Sequence, residues 1–430
     1  MNVVLAFLGI FAFFVILNCP IIYAIIATSW IMLRFGPIQI PVALIGQKLL
    51  GGINSFPLLA VPFFMLAANF MTNTSILKRL VDFVTGVIGF VRGGLAIVNV
   101  VVSMICAGMS GSATADTAGA SAMIMHAQIE EGYDRPFSVA VTGASSTIGI
   151  IIPPSIPLII YAWVSGSSVS ALFLAGIVPG VLIGLGQIGV CLWRAHQRGY
   201  PKHPRYPFKT IIKNTWEALP VLILPIIILG GIFSGIFTAT ESAVVAVFYA
   251  LALGLYYREL SFKTIVECLA MCGITSAVSL TLIGAAAPLS WIMALNNVPN
   301  LVVNWFLSVT NNPTVFMLLI VLFMLAIGCV MDNDPVIMLT TPMFLPAAMK
   351  LGISPIFYGT VINIALAIGL VTPPVGCVLF VACAVGKTSI QKVFPEFIPF
   401  YVVMIAVVLL LVFFPQIVLY LPTKFMPGAV

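Results

Sequence analysis

Two stretches of this sequence decide how the rest is read: Ser146-Thr-Ile-Gly-Ile-Ile-Ile-Pro-Pro154 and Leu366-Ala-Ile-Gly-Leu-Val-Thr-Pro-Pro374. They lie 220 residues apart, and each ends an apolar run with a proline pair. Proline lacks an N–H and clashes with the preceding helical turn, so such a pair breaks a helix and strips partners from the carbonyls before it. The same offset, without a gap, pairs Gly108 with Gly328, Met123 with Met343, Gly132 with Gly352, Phe137 with Phe357, Gly166 with Gly386 and Pro179 with Pro399. Breakers that coincide are better evidence of a repeat than fillers that coincide. A polar, glycine-rich interruption precedes each break. It is Ala107-Gly-Met-Ser-Gly-Ser-Ala-Thr-Ala-Asp-Thr-Ala-Gly119 in the first half and Gly328-Cys-Val-Met-Asp-Asn-Asp-Pro335 in the second.

Composition supplies the solvent. Of 430 residues, 61% are apolar and 7% charged, whereas a soluble domain carries roughly a quarter charged residues. A soluble enzyme, a disordered chain and a secreted disulfide scaffold are excluded together. The apolar runs do not alternate, which argues for helices over a barrel. At about 20 residues per crossing, the chain has room for roughly ten to twelve transmembrane helices. The stretch from Val3 to Leu33 reads as one long or two closely packed spans, too long for a signal peptide and retained in the mature chain.

The fold class is therefore an all-α polytopic membrane protein of two repeats. The first covers residues 1–193, with a re-entrant hairpin at about 95–127 and a broken helix at about 137–165. The second covers 218–430, with a hairpin at about 315–347 and a broken helix at about 357–385. Between them, 194–217 reads as a cytoplasmic loop, because Arg194, Arg198, Lys202, Arg205, Lys209 and Lys213 cluster there. A net charge of +6, so concentrated, points to a lipid surface and not to nucleic acid. The acidic turn at Glu130-Glu131-Gly132 against the basic Lys350-Leu351-Gly352 favours inversion of one repeat relative to the other. Paired breaks of this kind mark a transporter site near the midplane, since irregular backbone at membrane depth is tolerated only against protein or a water-filled cavity.

The polar residues at the breaks are the candidate ligands. Asp332 follows an apolar run ending at Met331, and a carboxylate there is costly enough in lipid to imply an ion or substrate pathway; Asp334 shares the tip, as part of the pathway or as a helix cap. Ser110, Ser112, Thr114 and Asp116 place four polar groups in seven positions. Ser155 follows the first proline pair. Thr372 adjoins the second, either facing a ligand or bonding back to a freed carbonyl. Thr240-Glu241 reads as a helix start or as a coupling element, Asp82 as a partner of Lys78 and Arg79, and His126 as a histidine bonded to a neighbour or a member of a proton relay. The eight cysteines contain no C-x-x-C pair and read as packing residues. H-E-x-x-H, phosphate-loop and G-x-S-x-G motifs are absent. The chain reads as no enzyme, with no cofactor, and with an ion gradient as its energy source.

At this point the chain resembles a known family. Ala60-Val-Pro-Phe-Phe-Met-Leu-Ala-Ala68, Gly108-Met-Ser-Gly-Ser-Ala-Thr-Ala-Asp116, Gly149-Ile-Ile-Ile-Pro-Pro-Ser-Ile-Pro157, Gly235-Ile-Phe-Thr-Ala-Thr-Glu241, and Met331-Asp332 with Thr341-Pro342 are similar, in order, to the DctM/SiaM-like large membrane subunit of tripartite ATP-independent periplasmic (TRAP) transporters. The resemblance implies a sodium-coupled elevator carrier in a bacterial inner membrane. It would import an organic acid anion such as a C4-dicarboxylate or sialic acid. Its implied partners are a small four-helix membrane subunit, here not fused at the N-terminus, and a periplasmic solute-binding protein. It implies Ser110, Ser155 and Asp332 around the substrate. It also implies a first sodium site at Gly108, Ser112, Asp116, Ile152 and Pro153, and a second at Gly328, Thr372 and Pro373. The chain departs from the family pattern at Thr238-Ala-Thr-Glu241, where Thr-Pro-Thr-Glu is usual, and at His126, where proline is usual. The alternative is a self-sufficient sodium- or proton-coupled anion carrier of similar fold.

Overall fold

The computed structural model describes residues 2–17, 19–36 and 41–429. Among these the secondary structure is helical, with no strand and one isolated bridge between Arg92 and Lys202. The chain enters through α1 (Asn2–Ile16), α2 (Ile21–Phe35), α3 (Ala43–Ile53), α4 (Ala60–Thr72) and α5 (Ile76–Ile88). A first hairpin follows, α6 (Gly94–Ser110), α7 (Ala113–Ala118) and α8 (Ala120–Glu130). Next comes a first broken helix, α9 (Arg135–Ser146) and α10 (Ile156–Ser165). Long helices continue as α11 (Val169–Arg198), α12 (Phe208–Phe233), α13 (Ala239–Tyr256) and α14 (Phe262–Leu295), then α15 (Val298–Val309). The second hairpin is α16 (Pro313–Gly328) and α17 (Asn333–Lys350), and the second broken helix is α18 (Pro355–Gly369) and α19 (Cys377–Val385). α20 (Ile390–Phe413) and α21 (Gln416–Phe425) close the chain.

Among the described residues, α11, α12, α13, α14 and α20 are each long and apolar enough to cross a membrane. A sixth span arises if α3 and the segment Phe56–Thr72, bent by 65°, count as one. That is fewer than the ten to twelve crossings expected; the shorter apolar helices α2, α6, α10, α16 and α18 have only 10–17 residues each, less than a straight crossing needs. The stretch Val3 to Leu33 forms two helices, divided before Pro20. The basic segment is less of a loop than its composition suggests. Arg194 and Arg198 ride on the end of α11, Lys209 and Lys213 on the start of α12, and only 199–207 connects them. Long helices that project past the hydrocarbon carry their cations with them.

Both hairpins fold back on themselves. Gln128 of α8 donates to the Leu95 carbonyl at the start of α6 (2.9 Å), and Ser103 meets Ser121 (2.9 Å). In the second hairpin the Thr340 hydroxyl points at the Met324 sulfur (3.9 Å). Glycines make the two helix–break approaches possible. A Cβ on Gly369 of α18 would stand 2.5 Å from the backbone carbon of Gly328, so the two helices touch backbone to backbone. Gly111 turns the first tip with φ +61°, where a side chain would also meet the Pro154 carbonyl at 2.8 Å.

Each tip is then tied to its break. The Ile156 N–H donates to the Gly111 carbonyl (3.5 Å). The N–H groups of Val375 and Gly376 both donate to the Cys329 carbonyl (3.1 Å each). Both proline pairs, Pro153-Pro154 and Pro373-Pro374, are joined by cis peptide bonds. Of the carbonyls the first break frees, that of Ile150 receives two side-chain donors: the Ser155 hydroxyl (2.6 Å) and the Asn363 amide from the other broken helix (2.7 Å). Ser155 also accepts the Leu158 N–H (3.4 Å), starting α10.

Two stability outcomes follow from these contacts. Gly369→Ala should destabilise the protein by about 1–3 kcal/mol, read as a lowered unfolding temperature in detergent. Gly189→Ala, with nothing within 4 Å of the new methyl, should leave it unchanged. Ser155→Ala removes a helix cap and one donor to Ile150, and should cost about 1 kcal/mol by the same measurement.

Candidate functional site

The two tips and the two breaks meet around a cavity of about 650 Å³. Its walls include Ser110, Gly111, Ser112 and Thr114 from the first tip and Asp332, Asn333 and Asp334 from the second. Ile150, Ile156 and Pro157 come from the first break and Leu370 from the second, while α4 contributes Asn69 and α14 contributes Thr275 and Ser279. The cavity thus lies between the repeated core and the long helix α14. No lysine, arginine or histidine lines it, whereas two aspartates do.

Asp332 caps α17, its Oδ1 accepting the Asn333 N–H at 2.8 Å. Asn333 is the unexpected member. It is 1% exposed, and neither its amide nitrogen nor its amide oxygen has a partner. A buried side-chain amide without partners is costly unless a ligand or water completes it. Being flanked by two aspartates is the signal that could have drawn attention to it.

Among the residues the sequence nominated, Ser110, Ser112 and Asp332 come together in this cavity. Ser155 does not line it: it is fully buried, and its hydroxyl is committed to Ile150 and Leu158. Thr372 back-bonds to the Ile368 carbonyl (2.7 Å), the second of its two readings. Gly328 serves as the close-contact glycine against Gly369, and Gly108 backs onto Pro225 with the Pro153 carbonyl beyond (3.9 Å from a built Cβ). Among the described residues, the carbonyls of Ile152, Pro153, Thr372 and Pro373 accept no hydrogen bond. Such oxygens are suited to a hard monovalent cation.

Asp116 also stands outside the main cavity, 4% exposed, with Oδ2 near the Ser121 hydroxyl (3.3 Å) and Oδ1 unpartnered. It shares a void of about 20 Å³, room for one water-sized particle, with the unpartnered Ser110 hydroxyl. Behind it runs a buried polar seam that sequence reasoning missed. Ser103 bonds Ser121 and Ser145 (2.9 and 3.1 Å), and Asn99 bonds Thr142 (2.8 Å). Hydroxyls scattered through helices look like packing residues until the fold aligns them. Glu241 closes a capping box with Thr238 at the start of α13, and exposed His126 holds the Ala122 carbonyl (2.7 Å). Both are local, and neither lines the cavity. Among the described residues, no group of three His, Cys, Asp or Glu side chains could hold a transition metal.

Comparison with known proteins places this arrangement. The chain is 36% identical to the sialic acid TRAP transporter large permease protein SiaM of Vibrio cholerae, over 88% of this chain and 89% of that one. It is 34% identical to the 2,3-diketo-L-gulonate TRAP transporter large permease protein YiaN of Escherichia coli, over 98% and 99%. Both relatives are named as permeases. In fold it is similar to the crystal structure of the Alcanivorax borkumensis YdaH transporter, with a TM-score of 0.65 at 14% identity, covering 86% of this chain and 88% of that one. The family model described as tripartite ATP-independent periplasmic transporter, DctM component, matches residues 8–417. With that match over nearly its whole length, the chain belongs to the DctM family, the large permease component of TRAP transporters.

Proposed function

We propose that this chain imports an organic acid anion across a bacterial inner membrane by sodium symport. The anion would be a carboxylate of the kind that sialic acid or diketogulonate represents. In this reading a small four-helix membrane subunit steadies the permease and a periplasmic binding protein delivers the solute. The hairpins and broken helices then move together past α14 and the other long helices as an elevator.

The observation that carries the proposal is the lining of the cavity. Asp332 and Asp334 face it with no basic side chain to offset them. A substrate carboxylate 4 Å from one aspartate meets repulsion of about 1 kcal/mol in bulk water and about 4 kcal/mol at an effective dielectric constant near 20. Binding an anion there requires cations that arrive with it. The unbonded carbonyls at both breaks offer oxygens for them, with Gly108, Ser112, Ile152 and Pro153 around the first position and Gly328, Thr372 and Pro373 around the second. Two sodium ions held there would turn a repulsive cavity into an attractive one. The unpartnered Ser110 hydroxyl and Asn333 amide are then free to hydrogen-bond the substrate. Asp116, whose Oδ1 has no partner, would approach the first ion from its own void behind the tip.

Reconstitution tests this. The permease and its small subunit in proteoliposomes, supplied with binding protein and labelled sialic acid, 2,3-diketo-L-gulonate or C4-dicarboxylates in turn, should take up one of these acids under an inward sodium gradient. Asp332→Asn should lower the rate roughly tenfold or more and flatten its dependence on sodium. Uptake that ignores the sodium gradient would refute the coupling. Uptake without binding protein would establish the self-sufficient carrier instead.

A further inference from the structure

A second cavity, of about 810 Å³, opens where the start of α9 meets the corner between α19 and α20. Arg135, Lys387 and Lys392 line it together with the hydroxyls of Thr388 and Ser389, and no acid does. Arg135 spends one guanidinium nitrogen on the Gly386 carbonyl (3.1 Å). Among the described residues neither lysine makes an ion pair. Glu396, the acid one turn beyond Lys392, is held by Arg198 and Arg194. Three cations are therefore gathered without an internal counter-charge.

The repeat shows that the fold does not need them. At the 220-residue offset, Arg135 corresponds to Pro355, Lys387 to Ser167 and Lys392 to Leu172. The charge belongs to one face of the molecule. That face carries the basic segment, since Asp134, next to Arg135, pairs with Arg198 at 2.8 Å. The positive-inside bias puts it on the cytoplasmic side, where the leaflet is rich in anionic lipid. The wall of the cavity also includes Phe380 of α19, 48% exposed, so apolar surface open to lipid adjoins the three cations. A soluble anion has no use for such a surface, but an acyl chain does.

We infer that this pocket holds the phosphate of an anionic glycerophospholipid, with an acyl chain laid against Phe380. The lipid bridges the start of the first broken helix and the end of the second, on the cytoplasmic side. This assignment stands apart from the transport reading and needs no substrate to test.

Native mass spectrometry of the detergent-purified permease, titrated with phosphatidylglycerol or phosphatidylcholine of the same acyl composition, decides it. The protein should bind phosphatidylglycerol roughly tenfold more tightly than phosphatidylcholine, and Lys387→Gln with Lys392→Gln should remove that preference while phosphatidylcholine binding persists. Lys424→Gln, outside the pocket, should change nothing. Both pocket lysines are exposed, so the double variant should purify as the parent does; Arg135→Gln alone supplies a second test with the same expected loss. Equal binding of the two lipids, or a preference that survives the double variant, would overturn the assignment. Displacement of phosphatidylglycerol by millimolar inorganic phosphate or glycerol 3-phosphate would overturn it in favour of a free-anion site.

Discussion

A backbone carbonyl or amide that loses its helical partner away from water carries a penalty of several kcal/mol. Two helices in this chain are broken by proline pairs, the first with both prolines buried and the second with Pro373 half-buried and Pro374 exposed, so that penalty arises in full at the first break and in part at the second. The structure answers it by bringing the tip of a hairpin to each break. The hairpin-tip carbonyls of Gly111 and Cys329 take up N–H groups released at Ile156 and Gly376, which stand at equivalent positions of the two halves. Once the tips are drawn to the breaks, the polar residues of both tips converge, and the cavity between them is a consequence of backbone satisfaction.

The two halves solve the shared problem with different side chains. At the first break, Ser155 and Asn363 cap the Ile150 carbonyl. At the second, Leu370 receives the N–H groups of Val378 and Leu379, while the Tyr401 hydroxyl donates to Val371. The tips diverge further, with hydroxyls on the first and two aspartates with an asparagine on the second. Symmetry builds the frame, and the departures from symmetry supply the electrostatics. One side of the cavity carries carboxyl groups and the other hydroxyls, an arrangement suited to holding cations beside an acid.

Much of this was legible because its signals are local. The proline pairs, the glycine turns and the common offset all act within a few residues. In the structure α8 and α17 end at Glu130 and Lys350, α9 and α18 begin at Arg135 and Pro355, and α10 and α19 end at Ser165 and Val385, each pair 220 residues apart. What could not be read depends on partners far along the chain. Nothing near Asn363 indicates that it reaches Ile150. Ser155 looks like a ligand until its hydroxyl is found closing a helix end, and the seam of Asn99, Ser103, Ser121, Thr142 and Ser145 exists only once α6, α8 and α9 are packed together. The basic segment misled for another reason: charge density marks a membrane face but not where a helix stops.

On the proposed function, these clasped breaks lie at mid-depth in a bilayer and are completed there by cations. A cryo-electron microscopy map of the permease with its membrane partner in lipid nanodiscs, recorded in sodium and again in choline, examines that claim directly. The account predicts both proline pairs level with the middle of the lipid density, and compact density beside the carbonyls of Ile152 and Pro153 and of Thr372 and Pro373 in sodium only. Breaks at the height of the headgroups, or junctions identical in the two salts, would contradict it.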